Sequence, residues 1–225
     1  MKYKIRSIQI SCDGGAATGK STGARMIAKK FKLKFLSSGL LYRYASFLII
    51  KHNPSNKINF LKKKFKNLNY KKINKLNLHT PKISEHTTKI AKINKLRLVL
   101  KKFQINFAKK NKNCCIEGRD ISTKILPNSD VKFFFKCNLQ TSALRRYKEL
   151  KKVNSKIKFK EVKKALRIRN ISDINRKNSP LLKHRDSVEI DTGKLDKSAT
   201  LAKMSKHVER TLKNKYGNWT RIKRH

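Results

Sequence analysis

The chain has 225 residues, 38% of them hydrophobic, which is enough to bury the core of one α/β domain with insertions or of two small domains. Lys and Arg outnumber Asp and Glu by 59 to 13, and the net charge of +46 favours acidic partners, either nucleic acid or small phosphorylated molecules. The longest purely apolar stretches, such as Phe47–Ile50, are far too short to cross a membrane, and no secretory signal is visible before the first glycine-rich stretch.

A glycine-rich loop is predicted between the first strand and the first helix. Alternating apolar residues predict the strand over Ser7–Cys12, and apolar residues at helical spacing predict the helix over Thr22–Phe31. The loop between them matches the phosphate-binding pattern G-x-x-x-x-G-K-[ST] and lies where a helix N-terminus also favours an anion. The residues of this segment that are predicted to bind ATP are Gly14, Gly15, Ala16, Ala17, Thr18, Gly19, Lys20, Ser21 and Thr22.

Each fixed position of this loop has a physical role in binding phosphate. Gly14 and Gly19 permit positive φ, so that successive N–H groups can form a concave nest for phosphate oxygens. Lys20 adds a full positive charge at the β/γ-phosphate end and is a predicted catalytic residue, and Ser21 is expected to place its hydroxyl on Mg²⁺. The alternative is a turn that binds nothing, and the strand–loop–helix context argues against it.

A second motif follows a short strand at Phe35 and opens a helix predicted over Leu40–Lys51. With the phosphate loop before it, the sequence Ser-Gly-x-x-Tyr-Arg resembles the opening of bacterial cytidylate kinases, which phosphorylate CMP and dCMP with ATP and Mg²⁺. The resemblance implies that Ser38 and Arg43 hold the acceptor phosphate, a task that suits the bidentate fork of arginine. Taken alone, the arginine would more simply be a solvated surface residue. Ser37 departs from the family, which usually has Asp at that position.

The stretch from Pro54 to about Thr88 is rich in Lys and Asn, and by itself it predicts a mobile insertion. In cytidylate kinases a small monophosphate-binding subdomain occupies this place, so the resemblance implies a shortened subdomain over about residues 54–88. A helix is predicted from Thr88 to Lys109, and the resemblance implies that Thr88 and Arg97 face the pyrimidine. The apolar residues that recur at intervals of three and four along this helix are Ile90, Ile93, Leu96, Leu100, Phe103 and Phe107.

A short buried strand, Cys114–Ile116, is predicted to end in Glu-Gly-Arg-Asp-Ile, which resembles the most diagnostic motif of cytidylate kinases. The resemblance implies that Arg119 contacts the phosphate or sugar side of CMP and that Asp120 reads the base. Glu117 lies at the carboxyl edge of the strand, where ligands of open α/β sheets bind, and is a candidate to hold Mg²⁺ through water. Ser122 stands where the family has Gly, which alters the turn but removes neither functional side chain.

The remaining elements bring further arginines into the predicted site. The resemblance implies that Arg145 flanks the ATP site and leads to a lid over about residues 152–168. Arg169, Asp173 and Arg176 match the family spacing Arg-x-x-x-Asp-x-x-Arg, in which Asp contacts the acceptor sugar and both Arg residues contact phosphates on closure; the two arginines are therefore predicted to be catalytic. Without the earlier motifs, this segment would be a solvated charge run. The elements predicted here are strands over Val131–Phe135 and Ser187–Thr192, helices over Thr141–Lys152 and Phe159–Asn170, and a final helix with Leu201, Met204, Val208 and Leu212 on its buried stripe.

Alternation of strands and helices along the chain predicts an α/β fold with a parallel sheet covered on both faces. The resemblance implies a P-loop NTPase with a five-stranded parallel sheet, forming a single kinase domain over residues 1–225, and a reaction between ATP and CMP or dCMP with Mg²⁺. The alternatives are another small-molecule kinase on the same core, such as a uridylate or shikimate kinase, and a basic nucleic-acid-binding protein with a vestigial loop.

The expected partners are nucleotides alone, without specific nucleic acid or a membrane, and the chain is expected to be a monomer. Its Lys residues are spread throughout and interleaved with Asn and Ile, so a coding bias explains the charge better than a nucleic-acid groove does. The cysteines all fall in short apolar runs and predict buried thiols in a reducing compartment, hence a cytoplasmic protein. They are Cys12, Cys114, Cys115 and Cys137.

Overall fold

The computed structural model describes residues 7–73, 76–152 and 154–217, and its strands form one five-stranded sheet. The strands are β1 (Ile8–Gly14), β2 (Lys34–Ser37), β3 (Asn113–Gly118), β4 (Val131–Lys136) and β5 (Val188–Asp191). Their order is β2-β3-β1-β4-β5, and β1 pairs in parallel with both β3 and β4. The predicted α/β class with a five-stranded parallel sheet is thereby confirmed.

Helices join the strands, as the alternating pattern predicts. They are α1 (Lys20–Lys30), α2 (Ser38–His52), α3 (Lys57–Lys66), α4 (Tyr70–Ile73), α5 (Pro81–Ile90), α6 (Asn94–Lys110), α7 (Leu139–Lys151), α8 (Phe159–Asn175) and α9 (Lys197–Tyr216). One π-helical turn, Ile121–Ile125, follows β3. Within the described ranges, every helix is too short or too polar to span a bilayer.

The chain divides into two compact units. The described residues up to Leu36 and from Asn111 onward form the first, which we call the sheet unit, and Ser37–Lys110 form the second, which we call the helical unit. The core of the sheet unit lies between the sheet and helices α1 and α9. Its residues include Ile8, Ile10, Cys12, Ile27, Phe133, Phe135, Met204, Val208 and Leu212.

The helical unit contains α2 to α6, which pack around aromatic and aliphatic side chains. Phe65 of α3 lies with its ring centroid 5.9 Å from that of Tyr44 and 5.8 Å from that of Phe103. Leu61 and Leu100 are fully buried in the same unit. The stretch after Pro54 that is rich in Lys and Asn therefore forms helices with a buried face, although by itself it predicts a mobile insertion. Its residues 74 and 75 lie outside the described part of the chain.

The prediction of one helix from Thr88 to Lys109 is wrong. The helix α5 ends at Ile90 and α6 begins at Asn94, so Thr88 lies in the last turn of α5. Thr80 caps the start of α5 through the N–H of Ile83, 3.3 Å away, and a proline follows at the first helical position. Ile93 lies in the break and is 44% exposed. Apolar spacing continues across the break, so periodicity could not reveal it.

Two further predictions need correction. The helix α8 does not end at Asn170 but continues to Asn175, which places Arg169 and Asp173 one turn apart on the same helix. Cys137 lies just beyond β4 and is only half-buried, whereas the other three cysteines are buried as predicted. Residue 153 of the predicted lid lies outside the described part; the remainder of that stretch comprises a loop and the beginning of α8.

Candidate active site

The phosphate-binding loop joins β1 to α1 with the backbone geometry that its glycines predict. Gly14 has φ 152° and Gly19 φ 75°, and a Cβ atom at Gly14 would lie 2.4 Å from the carbonyl oxygen of Phe135. Ala17 also has a positive φ of 56°. Among the described residues no side chain caps the start of α1, because Gly19 occupies the capping position. The first N–H groups of α1 therefore suit an anion.

Lys20 of this loop is buried against Glu117 at the end of β3. Its Nζ donates a hydrogen bond to Glu117 Oε2, and the two residues are 6% and 2% exposed. Burial lowers the pKa of Lys20 from its ordinary value, and the neighbouring Glu117 carboxylate opposes that shift. The contact joins the phosphate-binding loop to the segment that carries Arg119 and Asp120.

The two predicted ligands of Mg²⁺ differ in their surroundings. Ser21 lies exposed in the first turn of α1, whereas Glu117 is buried with Lys20. Within the described ranges, His, Cys, Asp and Glu side chains form no group of three that could hold a metal. The donor set consists of one hydroxyl and one carboxylate, which suits an ion that takes most of its ligands from phosphates and water.

A network of arginines surrounds Asp173 on α8. Arg119 Nε donates to Asp173 Oδ2 at 2.8 Å, and Arg176 Nη1 lies 3.3 Å from Asp173 Oδ1. Burial raises the pKa of Asp173, but the neighbouring arginines lower it by more, so it lies below its ordinary value. Burial and the charge of Arg119 bring the pKa of Arg169 down to about 10. The structure thus groups all three residues of the predicted Arg-x-x-x-Asp-x-x-Arg segment with Arg119.

The turn after β3 depends on Asp13, which the sequence motifs do not assign to the site. Asp13, at the end of β1, is fully buried and accepts three hydrogen bonds from Ile121 and Ser122. Burial raises the pKa of Asp13, and these hydrogen bonds act against the rise. Asp120, the predicted base-reading residue, lies at the start of this turn and is 4% exposed. The only signal for Asp13 in the sequence was its position directly before Gly14.

Thr192 and Asn170 also contact the phosphate-binding loop and were missed. Arg145 donates through Nη1 to Thr192 Oγ1 at 3.0 Å and through Nη2 to the Thr192 carbonyl at 2.7 Å. Thr192 Oγ1 in turn donates to the carbonyl of Thr18 at 2.8 Å. The side chain of Asn170, on α8, accepts from the N–H of Ala16 at 3.1 Å. The contacts of Thr192 with Thr18 and of Asn170 with Ala16 each join residues more than one hundred and fifty positions apart, so no local pattern could reveal them.

The helical unit holds its own group of predicted residues around α5. Arg43 is 7% exposed, so it is not a solvated surface residue, and its Nη1 donates to Ser84 Oγ at 2.7 Å. Thr88 donates its hydroxyl to the Ser84 carbonyl at 3.2 Å. Arg97 lies 5.5 Å above the ring of Tyr42. Ser84 therefore brings Arg43 and Thr88 together.

The start of α2 explains the departure at Ser37. Its side chain accepts a hydrogen bond from the N–H of Leu40 at 3.2 Å and so caps the helix. Ser and Asp are both preferred at such a position, which makes the substitution structurally mild. Ser38 follows in the first turn of α2 and is 4% exposed.

Comparisons with known proteins show which family the chain resembles. A family model described as cytidylate kinase matches residues 10–210. The cytidylate kinase of Bartonella tribocorum is 35% identical over 88% of this chain and 93% of that protein. Those of Clostridium tetani and Rickettsia canadensis are 33% and 36% identical, over 95% and 84% of this chain and over 99% and 87% of their own length.

Two solved structures share the fold. An uncharacterized protein from Eubacterium ventriosum superposes with a TM-score of 0.55 over 91% of this chain and 99% of its own. A protein from Thermus thermophilus superposes with a TM-score of 0.50 over 91% of this chain and 97% of its own. Each is 15% identical in sequence, so the likeness extends to the fold alone.

Proposed function

The chain belongs to the cytidylate kinase family, and we propose that it transfers the γ-phosphoryl group of ATP to CMP and dCMP through the residues grouped above. The observation that carries the assignment of the site is the contact between Lys20 and Glu117. It joins the phosphate-binding loop to the turn bearing Arg119 and Asp120, so residues assigned to ATP and residues assigned to the acceptor belong to one charged cluster of the sheet unit.

ATP binds at the loop between β1 and α1. Backbone N–H groups of residues 14–22 surround the phosphates, and Lys20 supplies positive charge where negative charge accumulates during transfer. Arg145 flanks this site from α7, where Thr192 fixes its guanidinium. No covalent enzyme intermediate is needed, because phosphoryl transfer in this class depends on positioning and electrostatic stabilisation.

Mg²⁺ fits the donors that Ser21 and Glu117 provide. The serine hydroxyl would hold it directly and the carboxylate through water, with Lys20 remaining beside the same carboxylate. When bound, the ion would supply positive charge that offsets the negative charge of the ATP phosphates. Nucleotide kinases generally use a divalent metal in this way; its identity as magnesium is part of our proposal.

Recognition of CMP is assigned to seven residues, and each assignment is argued from the contacts of that residue within its own unit. Arg119 and Asp173 meet the phosphate and sugar, and Asp120 accepts from the cytosine amino group. In the helical unit, Ser38 and Arg43 hold the phosphate, and Thr88 and Arg97 meet the pyrimidine. The planar guanidinium of a buried arginine offers phosphate a bidentate partner, which supports the role of Arg43.

Arg169 and Arg176 are assigned to the transition state. Arg169 lies on α8 and Arg176 directly follows its last residue, and Arg176 contacts Asp173. Positive charge that approaches the phosphates as the site closes stabilises the transferring group more than it stabilises bound ATP. Exclusion of water on closure also limits hydrolysis of ATP.

We further propose that the enzyme acts as a monomer in the cytoplasm. All four cysteines are free thiols, which is typical of proteins from reducing compartments. The high positive charge is assigned no specific nucleic-acid partner, because its Lys residues are spread along the chain.

A panel of acceptors tests the function. Release of ADP from ATP should be measured with CMP, dCMP, UMP, AMP and shikimate, with Lys20→Ala as the control for contaminating kinases. We expect kcat/KM to be highest for CMP and dCMP. Equal or higher values for UMP or shikimate would contradict the proposal, as would turnover that persists in the control.

A further inference from the structure

The turn that bears the proposed CMP-binding residues is held in place from β1. Asp13 Oδ1 accepts from the N–H of Ile121 at 2.8 Å, and Oδ2 accepts from the N–H and the hydroxyl of Ser122 at 2.7 and 2.5 Å. Both Asp13 and Ser122 are 0% exposed. Three hydrogen bonds thus fasten the residues that directly follow Arg119 and Asp120.

The backbone of this turn needs such an acceptor. Its residues Ile121–Ile125 form a π-helical turn, in which the N–H of Leu126 bonds to the carbonyl of Ile121 at 2.7 Å. The first N–H groups of any helical turn lack partners within the turn. An aspartate at the capping position, here Asp120, commonly accepts them, but its side chain does not do so in this case. Asp13 performs the capping instead.

We propose that Asp13 and Ser122 form a clamp that positions Asp120 and Arg119 for recognition of CMP. This inference rests on the proposed function, since it concerns the same acceptor site. Capping from β1 fixes the backbone that carries the Asp120 side chain. The Ser122 hydroxyl adds a donor to Asp13 that a glycine at this position could not provide. Asp13 and Ser122 are positioning residues and do not themselves touch the nucleotide.

The test compares two buried serines that both bond toward β1. Ser122→Ala removes the hydroxyl donated to Asp13, whereas Ser129→Ala removes a hydroxyl donated to Ser11 Oγ at 2.8 Å. Ser11 and Ser129 are 0% and 3% exposed. Each variant therefore loses one buried hydrogen bond to a residue of β1, but only the first loosens the turn.

The clamp predicts a selective effect of Ser122→Ala. We expect the KM for CMP to rise about fivefold, because a hydrogen bond to a carboxylate is lost, while the KM for ATP stays unchanged. The ratio of kcat/KM for CMP to that for UMP should fall by a similar factor, and Ser129→Ala should leave both quantities as in the parent. Asp13→Asn, which weakens all three bonds, should raise the KM for CMP further.

Different results separate the clamp from the function on which it rests. Parent protein that neither phosphorylates nor binds CMP in a calorimetric titration overturns both. With an active parent, the clamp alone is overturned if Ser122→Ala behaves like the parent, if Ser129→Ala produces the same change, or if KM rises equally for ATP and CMP. If Asp13→Asn fails to fold, the comparison of Ser122→Ala with Ser129→Ala still tests the clamp.

Discussion

Lys20 of the phosphate-binding loop forms a buried ion pair with Glu117 at the end of β3, and the two side chains are 6% and 3% exposed. Removing charges from water costs free energy, and the attraction within a buried ion pair offsets that cost only while both partners are present. The loop residue assigned to catalysis therefore also holds a carboxylate in the interior of the sheet unit. Mutations of Lys20 and Glu117 can therefore separate the effect on stability from the effect on activity.

Lys20→Met should lower kcat by orders of magnitude and reduce the free energy of unfolding by about 3–5 kcal/mol, because it removes the cation that is paired with the buried Glu117 carboxylate. Adding Glu117→Gln should restore most of the stability and none of the activity. Urea unfolding and the coupled ADP assay measure the two effects. Near-normal turnover in Lys20→Met would contradict the kinase mechanism, and a double variant no more stable than Lys20→Met would contradict the role of the pair.

Arg169→Ala and Arg176→Ala should each lower kcat more than they raise the KM for ATP. Charge delivered on closure stabilises the transition state more than the ground state. Arg167→Ala is the matched control, since Arg167 is exposed on the same helix. Steady-state kinetics with ATP varied at saturating CMP give both constants. A rise in KM with kcat unchanged would instead assign the two arginines to uniform binding of ATP.

The strand–loop–helix around Lys20 could be predicted because the constraint is local. Positive φ at Gly14 and Gly19 and the positions of β1 and α1 all follow from neighbouring residues. The sheet and the buried stripe of α9 also follow from periodicity, because period two and period 3.6 distinguish strands from helices.

Contacts that depend on chain topology could not be predicted. Asp13 meets Ser122 only because β1 and β3 are neighbours in the sheet, and Thr192 reaches Thr18 across 174 positions of sequence. The break between α5 and α6 was missed for a different reason: Ile93 keeps the apolar spacing although it is 44% exposed. Sequence motifs thus indicated the residues that are assigned to substrates, but not the residues that hold those side chains and loops in place.

Asp173→Asn tests the arginine network through the dependence of stability on pH. Neighbouring arginines lower the pKa of Asp173 below its ordinary value of 3.8, so ionised Asp173 stabilises the fold at pH values above that value. This stabilisation is lost as the pH falls through the lowered pKa. The difference in unfolding free energy between parent and variant should therefore be constant from pH 7 to about 5 and shrink at lower pH.

Urea unfolding at several pH values between 7 and 3 measures this difference. Asp186→Asn serves as the control, because Asp186 is an exposed carboxylate of the same unit. A difference between parent and Asp173→Asn that grows as the pH falls would mean that the arginines do not stabilise the ionised form of Asp173.

We expect Asp120 to decide the choice of base. Cytosine carries an amino group at C4, which donates a hydrogen bond, whereas uracil carries a carbonyl oxygen there, which only accepts. An ionised carboxylate accepts from the first and repels the second. Hydrogen bonds to a charged group contribute about 1.5–3 kcal/mol, which corresponds to roughly ten- to more than a hundredfold in discrimination.

Two substitutions at Asp120 test this contact: one removes the acceptor, and the other replaces it with a group that can donate. Asp120→Ala should lose most of the preference for CMP over UMP, chiefly by losing activity toward CMP. Asp120→Asn should reduce the preference for CMP over UMP by raising activity toward UMP, since its amide group can donate to the uracil carbonyl. The measurement is kcat/KM for both nucleotides in the parent and each variant, with the KM for ATP as the internal control. A ratio that stays the same in both variants would mean that another residue reads the base and that Asp120 is buried for structural reasons alone.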